Sequence, residues 1–228
     1  MNKKETVLIV GGTSGLGLEL AQLLQNEATN NVYVTGRKKS ANQKLSFIYF
    51  DIDGTSKEMV SKIDTILSEL PEEIDLLIYA AGFCQNGNIK DLSDLDIMTM
   101  INVGLLVPAL LINRILKHQK KLSGFIAITS TSQWIPRVYE PVYTAVKAGL
   151  GMLAHSLSLD PQIGKVLVAA PAGMKTNFWT KVKRDTRTML DPVWVAKQIQ
   201  QLYVENEFKY KYARILRDPQ RVEIVEKR

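Results

Sequence analysis

Six apolar runs dominate the chain and leave few architectures open to it. Val7 to Val10, Val32 to Thr35, Phe47 to Phe50, Leu76 to Ala80, Phe125 to Thr129 and Val166 to Ala170 are continuous rather than alternating. Strands of that kind are buried on both faces, which requires helices above and below a mainly parallel sheet. The intervening segments supply them. Leu16, Leu20, Leu23 and Leu24 trace one face of a first helix, and Met59, Ile63, Ile66, Leu67 and Leu70 trace another. Ile97 to Lys117 reads as one long helix bent at Pro108, and Val142 to Leu157 as a second. Asp191 followed by Pro192, a cap and a favoured first helical residue, opens a third that runs to Val204. The polar stretch Lys38 to Leu45 has room for only a turn or a stunted helix. With a weaker strand near Ala213 to Leu216, the pattern predicts a doubly wound α/β fold. Its mainly parallel sheet has about seven strands with helices on both faces, in one domain over 1–228.

Composition narrows the functional classes. The chain has 228 residues, 46% apolar and 23% charged, values ordinary for a folded soluble protein, and no window approaches the ~20 consecutive apolar residues of a membrane span. The start, Met1 to Thr6, lacks the apolar stretch of a secretory signal, so export is not expected and a cytoplasmic location is. The one cysteine, Cys84, excludes an intramolecular disulfide, and a small residue filling a loop is its simplest reading. His118 and His155 lack ligand companions and read as ordinary helix residues, so no metal is expected. The net charge of +6 comes from scattered residues, apart from short clusters at Arg37 to Lys39 and Lys181 to Arg187. No nucleic-acid module accompanies them. Neither a GxSxG elbow nor a GxxxxGK[ST] loop occurs.

Immediately after the first strand comes Gly11-Gly12-Thr13-Ser14-Gly15-Leu16-Gly17, opening into the first helix. Glycines permit positive φ and close backbone approach, and a helix N-terminus offers free N–H groups to a pyrophosphate. The context is that of a dinucleotide-binding, Rossmann-type turn, although a purely structural tight turn uses the same residues. The second strand ends in Thr35-Gly36-Arg37-Lys38, with no acidic residue to hold ribose hydroxyls. Arg37 and Lys38 offer instead the cations that pair with a 2′-phosphate, which favours NADP(H) over NAD(H); a solvated basic turn is the other reading.

Tyr143 and Lys147 are four apart in a predicted helix, one turn apart on one face. A neighbouring ammonium favours phenolate and brings a tyrosine's pKa toward the working range. The spacing alone recurs readily by chance; its conjunction with other residues decides. Ser130 closes the fifth strand, thirteen residues before Tyr143, at the carboxyl edge where the glycine turn also lies. In this order, GGTSGLG, Ala80-Ala81-Gly82, Asn102, Ser130 and Tyr143 with Lys147 resemble the motif set of the short-chain dehydrogenase/reductase family. The likeness spans nearly the whole chain.

That resemblance implies roles. Tyr143 would be the general acid or base, Ser130 would orient the substrate carbonyl, and Lys147 would hold the nicotinamide ribose and tune Tyr143. Asn102 would match the asparagine of the proton relay; a buried amide satisfied by backbone is the alternative. Asp51 and Ile52 would face the adenine, unless they form a simple strand-end turn. Pro171, Gly173 and Thr176 match the family's proline, glycine and cofactor-contacting threonine, with Gly11, Thr13, Ser14, Gly15, Leu16 and Gly17 around the pyrophosphate. Two positions depart. Ala172 replaces a commoner glycine, and Tyr79 stands where an asparagine usually precedes the alanine-glycine pair.

The segment from Thr176 to Leu190 would fold over the substrate. It carries Phe178, Trp179, Lys181, Lys183, Arg184 and Arg187, which with Trp134 and Phe83 could form an aromatic pocket with a basic rim. A solvated lid whose aromatics dock on the domain is the preferred reading. The expected partner is a small carbonyl or alcohol substrate, without nucleic acid or membrane. Pairing through the long helices, where Ala148, Gly149 and Gly151 permit close approach, predicts a homodimer or homotetramer. A catalytically idle NADP(H)-binding sensor, an NAD-preferring enzyme and an epimerase-like member are the competing readings.

Overall fold

Alternate residues of one strand serve opposite faces of the sheet, and β1 (Glu5–Val10) shows it directly. Val7 and Ile9 enter one apolar cluster while Leu8 and Val10 enter the other. A computed structural model describes residues 4–27, 30–40, 42, 44–52, 56–70, 73–179, 185–205 and 207–228. The elements that follow β1 are α1 (Gly15–Gln25), β2 (Asn30–Gly36), β3 (Ser46–Tyr49), α2 (Ser56–Ser68) and β4 (Leu76–Tyr79). Next come α3 (Asp94–Ile101), α4 (Val107–His118), β5 (Leu122–Ile128), α5 (Pro141–Leu157), β6 (Ile163–Pro171), α6 (Pro192–Val204), β7 (Tyr210–Arg217) and β8 (Gln220–Lys227).

The strands form one sheet in the order β3-β2-β1-β4-β5-β6-β7-β8, parallel up to β7. The eighth strand was not anticipated: β8 returns antiparallel along β7. Its alternation of exposed and half-buried residues lacks the continuous apolar signal of the inner strands. Between β2 and β3 no helix forms among the described residues. Leu16, Leu20 and Leu24 of α1 join Val195, Ile199 and Leu202 of α6 over one face. Met59 and Ile63 of α2, Leu111 and Ile115 of α4, and Leu150 and Ala154 of α5 cover the other.

The helix expected over 97–117 begins earlier and is not bent simply at Pro108. Between α3 and α4 lies a wider, π-type turn over Asn102–Leu106, in which the Val107 N–H reaches back five residues to the Asn102 carbonyl. That bond strands the carbonyl of Val103. Its ordinary donor, Val107, is taken, and the next residue able to reach it is Pro108, which has no N–H. The Tyr79 hydroxyl, fully buried on β4, donates to the Val103 carbonyl instead. The unusual Tyr79 thus supplies the hydrogen bond that the helix cannot.

Residues Asp94 to His118 together are long and apolar enough to span a bilayer by length and composition, contrary to the reading of the sequence alone. Burial accounts for part of the apolarity: Met100, Val103, Val107, Leu111, Ile112 and Ile115 lie inside the fold, while Leu95, Met98 and Ile101 are exposed. Tyr79→Phe keeps the ring and leaves the Val103 carbonyl buried without a donor. It is expected to lower the unfolding free energy by about 1–3 kcal/mol in urea titration, with the m-value unchanged.

Candidate active site

The chain order of the strands creates the site. After β3 the chain crosses back to β4 on the other side of β1, so the loops leaving β1 and β4 part company and open a crevice at their carboxyl ends. The glycine turn sits in that crevice. Gly11 has φ of +82°, and a Cβ on it would lie 2.7 Å from the backbone of Ala81. Gly15 has φ of +52°, and Gly17 has no room for a side chain against the Gly11 carbonyl. The N–H groups of Gly11 and Gly12 both donate to the Thr35 carbonyl, each at 3.1 Å, tying the turn to the end of β2. Gly36 must lack a Cβ because the Thr13 side chain stands over it.

At the start of α1 the Ser14 side chain makes no cap, and no acidic residue occupies the first turn. Leu16 and Gly17 are buried there. This end of the helix keeps its N–H groups and partial positive charge for an anion, as a pyrophosphate requires. Arg37 and Lys38 follow β2 on the same edge, both exposed, and no ion pair engages either among the described residues. Asp51 and Ile52 lie just beyond β3, half-buried, with the Asp51 carbonyl accepting from Lys62 Nζ at 3.0 Å. The cradle and the donor set fit a dinucleotide.

Ser130 lies just beyond β5 and caps the 3₁₀ turn Thr131–Gln133, its Oγ accepting from the Ser132 N–H at 3.1 Å. Tyr143 and Lys147 occupy one face of α5, 7% and 4% exposed, with Lys147 Nζ 5.7 Å from the centre of the Tyr143 ring. Lys147 Nζ donates to the Ile128 carbonyl at 2.9 Å, joining α5 to the end of β5. The position of a Cβ on Gly82, after β4, is 3.8 Å from Lys147 Nζ. Asn102 begins the π-type turn that lies against α5, where Gly104 abuts Val146 and Leu105 abuts Gly149. At the end of β6, Pro171 and Ala172 are buried, and the Ala172 N–H donates to Ile215, so the loop leaves as an extension of the sheet. The Gly173 carbonyl accepts from Leu190. Thr176 returns to the glycine turn, its Cγ2 3.4 Å from where a Gly15 Cβ would be.

The electrostatics correct one expectation. Burial pushes the Tyr143 phenol well above its ordinary range, Cys84 adds to the rise, and Ser130 and Arg137 only partly offset it. The same burial lowers Lys147, to about 8. The thiol of Cys84, 5% exposed, belongs to this apolar cluster with Leu92, Met100 and Tyr143, and Phe83, Ile97, Val142 and Phe178 close it. Sequence reasoning placed Cys84 in a loop but gave no sign that it adjoins the tyrosine. Trp134 is elsewhere: it meets Tyr212 edge-on and Arg214 at 4.2 Å, so it does not join the aromatic pocket that stood as the alternative to a docked lid. Phe178 and Trp179 do dock on the domain, Trp179 Nε1 donating to the Met174 carbonyl at 2.9 Å. Lys181, Lys183 and Arg184 lie outside the described residues. No cluster able to hold a metal occurs among the described residues.

A glycine-cradled nucleotide crevice with serine, tyrosine and lysine on its edge defines a Rossmann-fold, nucleotide-binding oxidoreductase. The family model described as short chain dehydrogenase matches residues 5–187, and the chain belongs to the short-chain dehydrogenase/reductase family. An uncharacterized short-chain type dehydrogenase/reductase of Sinorhizobium fredii is 29% identical over 219 residues, covering 91% of this chain and 81% of that protein. A short-chain dehydrogenase family protein of Francisella tularensis superposes with a TM-score of 0.78 at 18% identity, covering 93% of this chain and 97% of the other. A short-chain dehydrogenase of Sphingobium yanoikuyae in complex with NADPH gives 0.75 at 19% identity, covering 87% and 84%. Members of the family use NAD(P)(H).

Folding expels the Lys147 proton between pH of about 8 and 10.5, because the unfolded chain holds it up to 10.5 and the folded chain only to about 8. Its contribution to stability therefore rises through that window, and below about 8 the folded chain bears the full cost of burying an ammonium. Lys147→Met removes that cost, about 3 kcal/mol, against about 1 kcal/mol for the lost bond to Ile128. The variant is expected to unfold at higher denaturant than the parent at pH 7, with the advantage shrinking as pH approaches 10.5.

Proposed function

We propose that the chain is an NADP(H)-dependent reductase that converts a carbonyl carbon of a small molecule to an alcohol. The convergence of Ser130, Tyr143 and Lys147 on the edge that carries the glycine turn is the observation that carries this reading. Gly11, Thr13, Ser14, Gly15, Leu16 and Gly17 cradle the pyrophosphate; Asp51 and Ile52 line the adenosine portion; Ala80, Ala81 and Gly82 lead along the ribose to the nicotinamide end; Pro171, Gly173 and Thr176 close the far side. Arg37 and Lys38 pair with the 2′-phosphate, and the NADPH complex of the Sphingobium neighbour agrees with that choice. When bound, the cofactor supplies a hydride.

The chain's own residues handle the proton and the oxygen. Ser130 donates a hydrogen bond that orients the substrate carbonyl, and Tyr143 gives its phenolic proton to that oxygen. Burial keeps the phenol protonated, the form in which it donates. Lys147 holds the nicotinamide ribose and supplies positive charge next to Tyr143 as the proton leaves, while Asn102 connects the π-type turn to the proton relay. Self-association through α3 and α5 is part of the proposal, supported by exposed Leu95, Met98 and Ile101 on the first and Met152 on the second.

Tyr143→Phe is expected to cut NADPH-dependent reduction across a ketone panel by roughly 10²- to 10⁴-fold while NADPH still binds in a fluorescence titration. Full activity in the variant would refute the role of Tyr143. Arg37→Ala is expected to weaken NADPH roughly 10- to 100-fold and to leave NADH nearly unchanged, as judged by calorimetry.

A further inference from the structure

We infer that Phe178 is an internal occupant of the nicotinamide end of the cofactor site, which the dinucleotide must push aside to bind. The inference rests on the proposed reading of Gly82, Lys147 and Tyr143 as the residues that receive that end.

Phe178 sits at the centre of a single 3₁₀ turn, Asn177–Trp179. Its ring centre is 6.1 Å from that of Tyr143, tilted by 52°. The point where a Cβ of Gly82 would stand is 3.3 Å from Phe178 Cε2 and 3.8 Å from Lys147 Nζ, so the ring leans over the shelf from which Lys147 and Tyr143 act. Gly82 on that shelf carries no side chain of its own, and Phe178 and Lys147 are the side chains nearest to it among the described residues. The turn is anchored by Trp179, whose Nε1 donates to the Met174 carbonyl at 2.9 Å. Its Phe178 N–H donates to Thr176 Oγ1 at 3.4 Å, and the Trp179 ring meets Phe178 edge-on at 5.0 Å.

Phenyl and nicotinamide rings are flat and alike in size, and both are drawn to the apolar wall of Met100, Leu92 and Cys84. Only one of them fits against Gly82 and Lys147. The adenosine half of the cofactor meets a different set of groups, the glycine turn and Arg37. Loss of the Phe178 ring therefore strengthens binding of the whole dinucleotide and leaves its adenosine half unaffected.

The test is calorimetric titration of the full chain and of Phe178→Ala with NADP⁺ and with the adenosine fragment 2′,5′-ADP. The variant is expected to bind NADP⁺ roughly two- to tenfold more tightly, the value of one aromatic contact, with 2′,5′-ADP unchanged. The unchanged fragment also shows that the variant is folded. Phe178→Leu, which keeps an apolar side chain without the flat ring, is expected to fall between the two and serves if the alanine variant does not fold. Equal or weaker NADP⁺ binding by the variants, with 2′,5′-ADP intact, would overturn the inference and mark Phe178 as an ordinary wall residue. Failure of the unaltered chain to bind either compound would sink the cofactor reading and this inference with it.

Discussion

The close approach of Gly11 to the backbone of Ala81 is the contact on which the site depends. It lies where β1 and β4, neighbours in the sheet, send their following loops in opposite directions. A side chain at position 11 would wedge those loops apart, shift the Thr35 carbonyl that receives two N–H groups from the turn, and tilt the first turn of α1. Gly82, Arg37 and Thr176 are all positioned by elements anchored to that crossing. The site is thus a property of strand order first and of individual side chains second.

Burial rather than charge sets the protonation of the tyrosine and lysine. One helical turn separates them, which favours mutual influence, yet each is walled by apolar neighbours and pays for ionising. Phenol and ammonium are pushed in opposite directions on the pKa scale, the first upward and the second downward. The gap between them widens in the sense that keeps the proton on oxygen.

Much of this was legible in the sequence because the inner strands are buried on both faces and carry an unbroken apolar signal, as in Val166 to Ala170. The glycine turn was legible because only glycine tolerates the φ of Gly11 and Gly15. The order of Ser130, Tyr143 and Lys147 was legible through the family resemblance. What escaped notice has physical reasons. β8 is an edge strand with a mixed pattern, and the π-type turn depends on a hydrogen bond between β4 and a helix 24 residues away in sequence. The effect of burial on Tyr143 could not be read from spacing, since it comes from Cys84, Leu92 and Met100 on other elements.

Tyr79, Val103 and Pro108 also bear on how this chain is compared with its relatives. The π-type turn strands the Val103 carbonyl, proline at 108 cannot serve it and tyrosine at 79 does, so the two residues work together although they lie on different elements. An alignment that scores position 79 alone would count only a departure from asparagine and would miss the hydrogen bond by which this tyrosine fastens the sheet to the helix. Relatives that carry a proline at the position of Pro108 and a hydroxyl-bearing aromatic at that of Tyr79 would mark a lineage. Chimeras made by swapping segments between the two positions would break the pairing unless both are moved together.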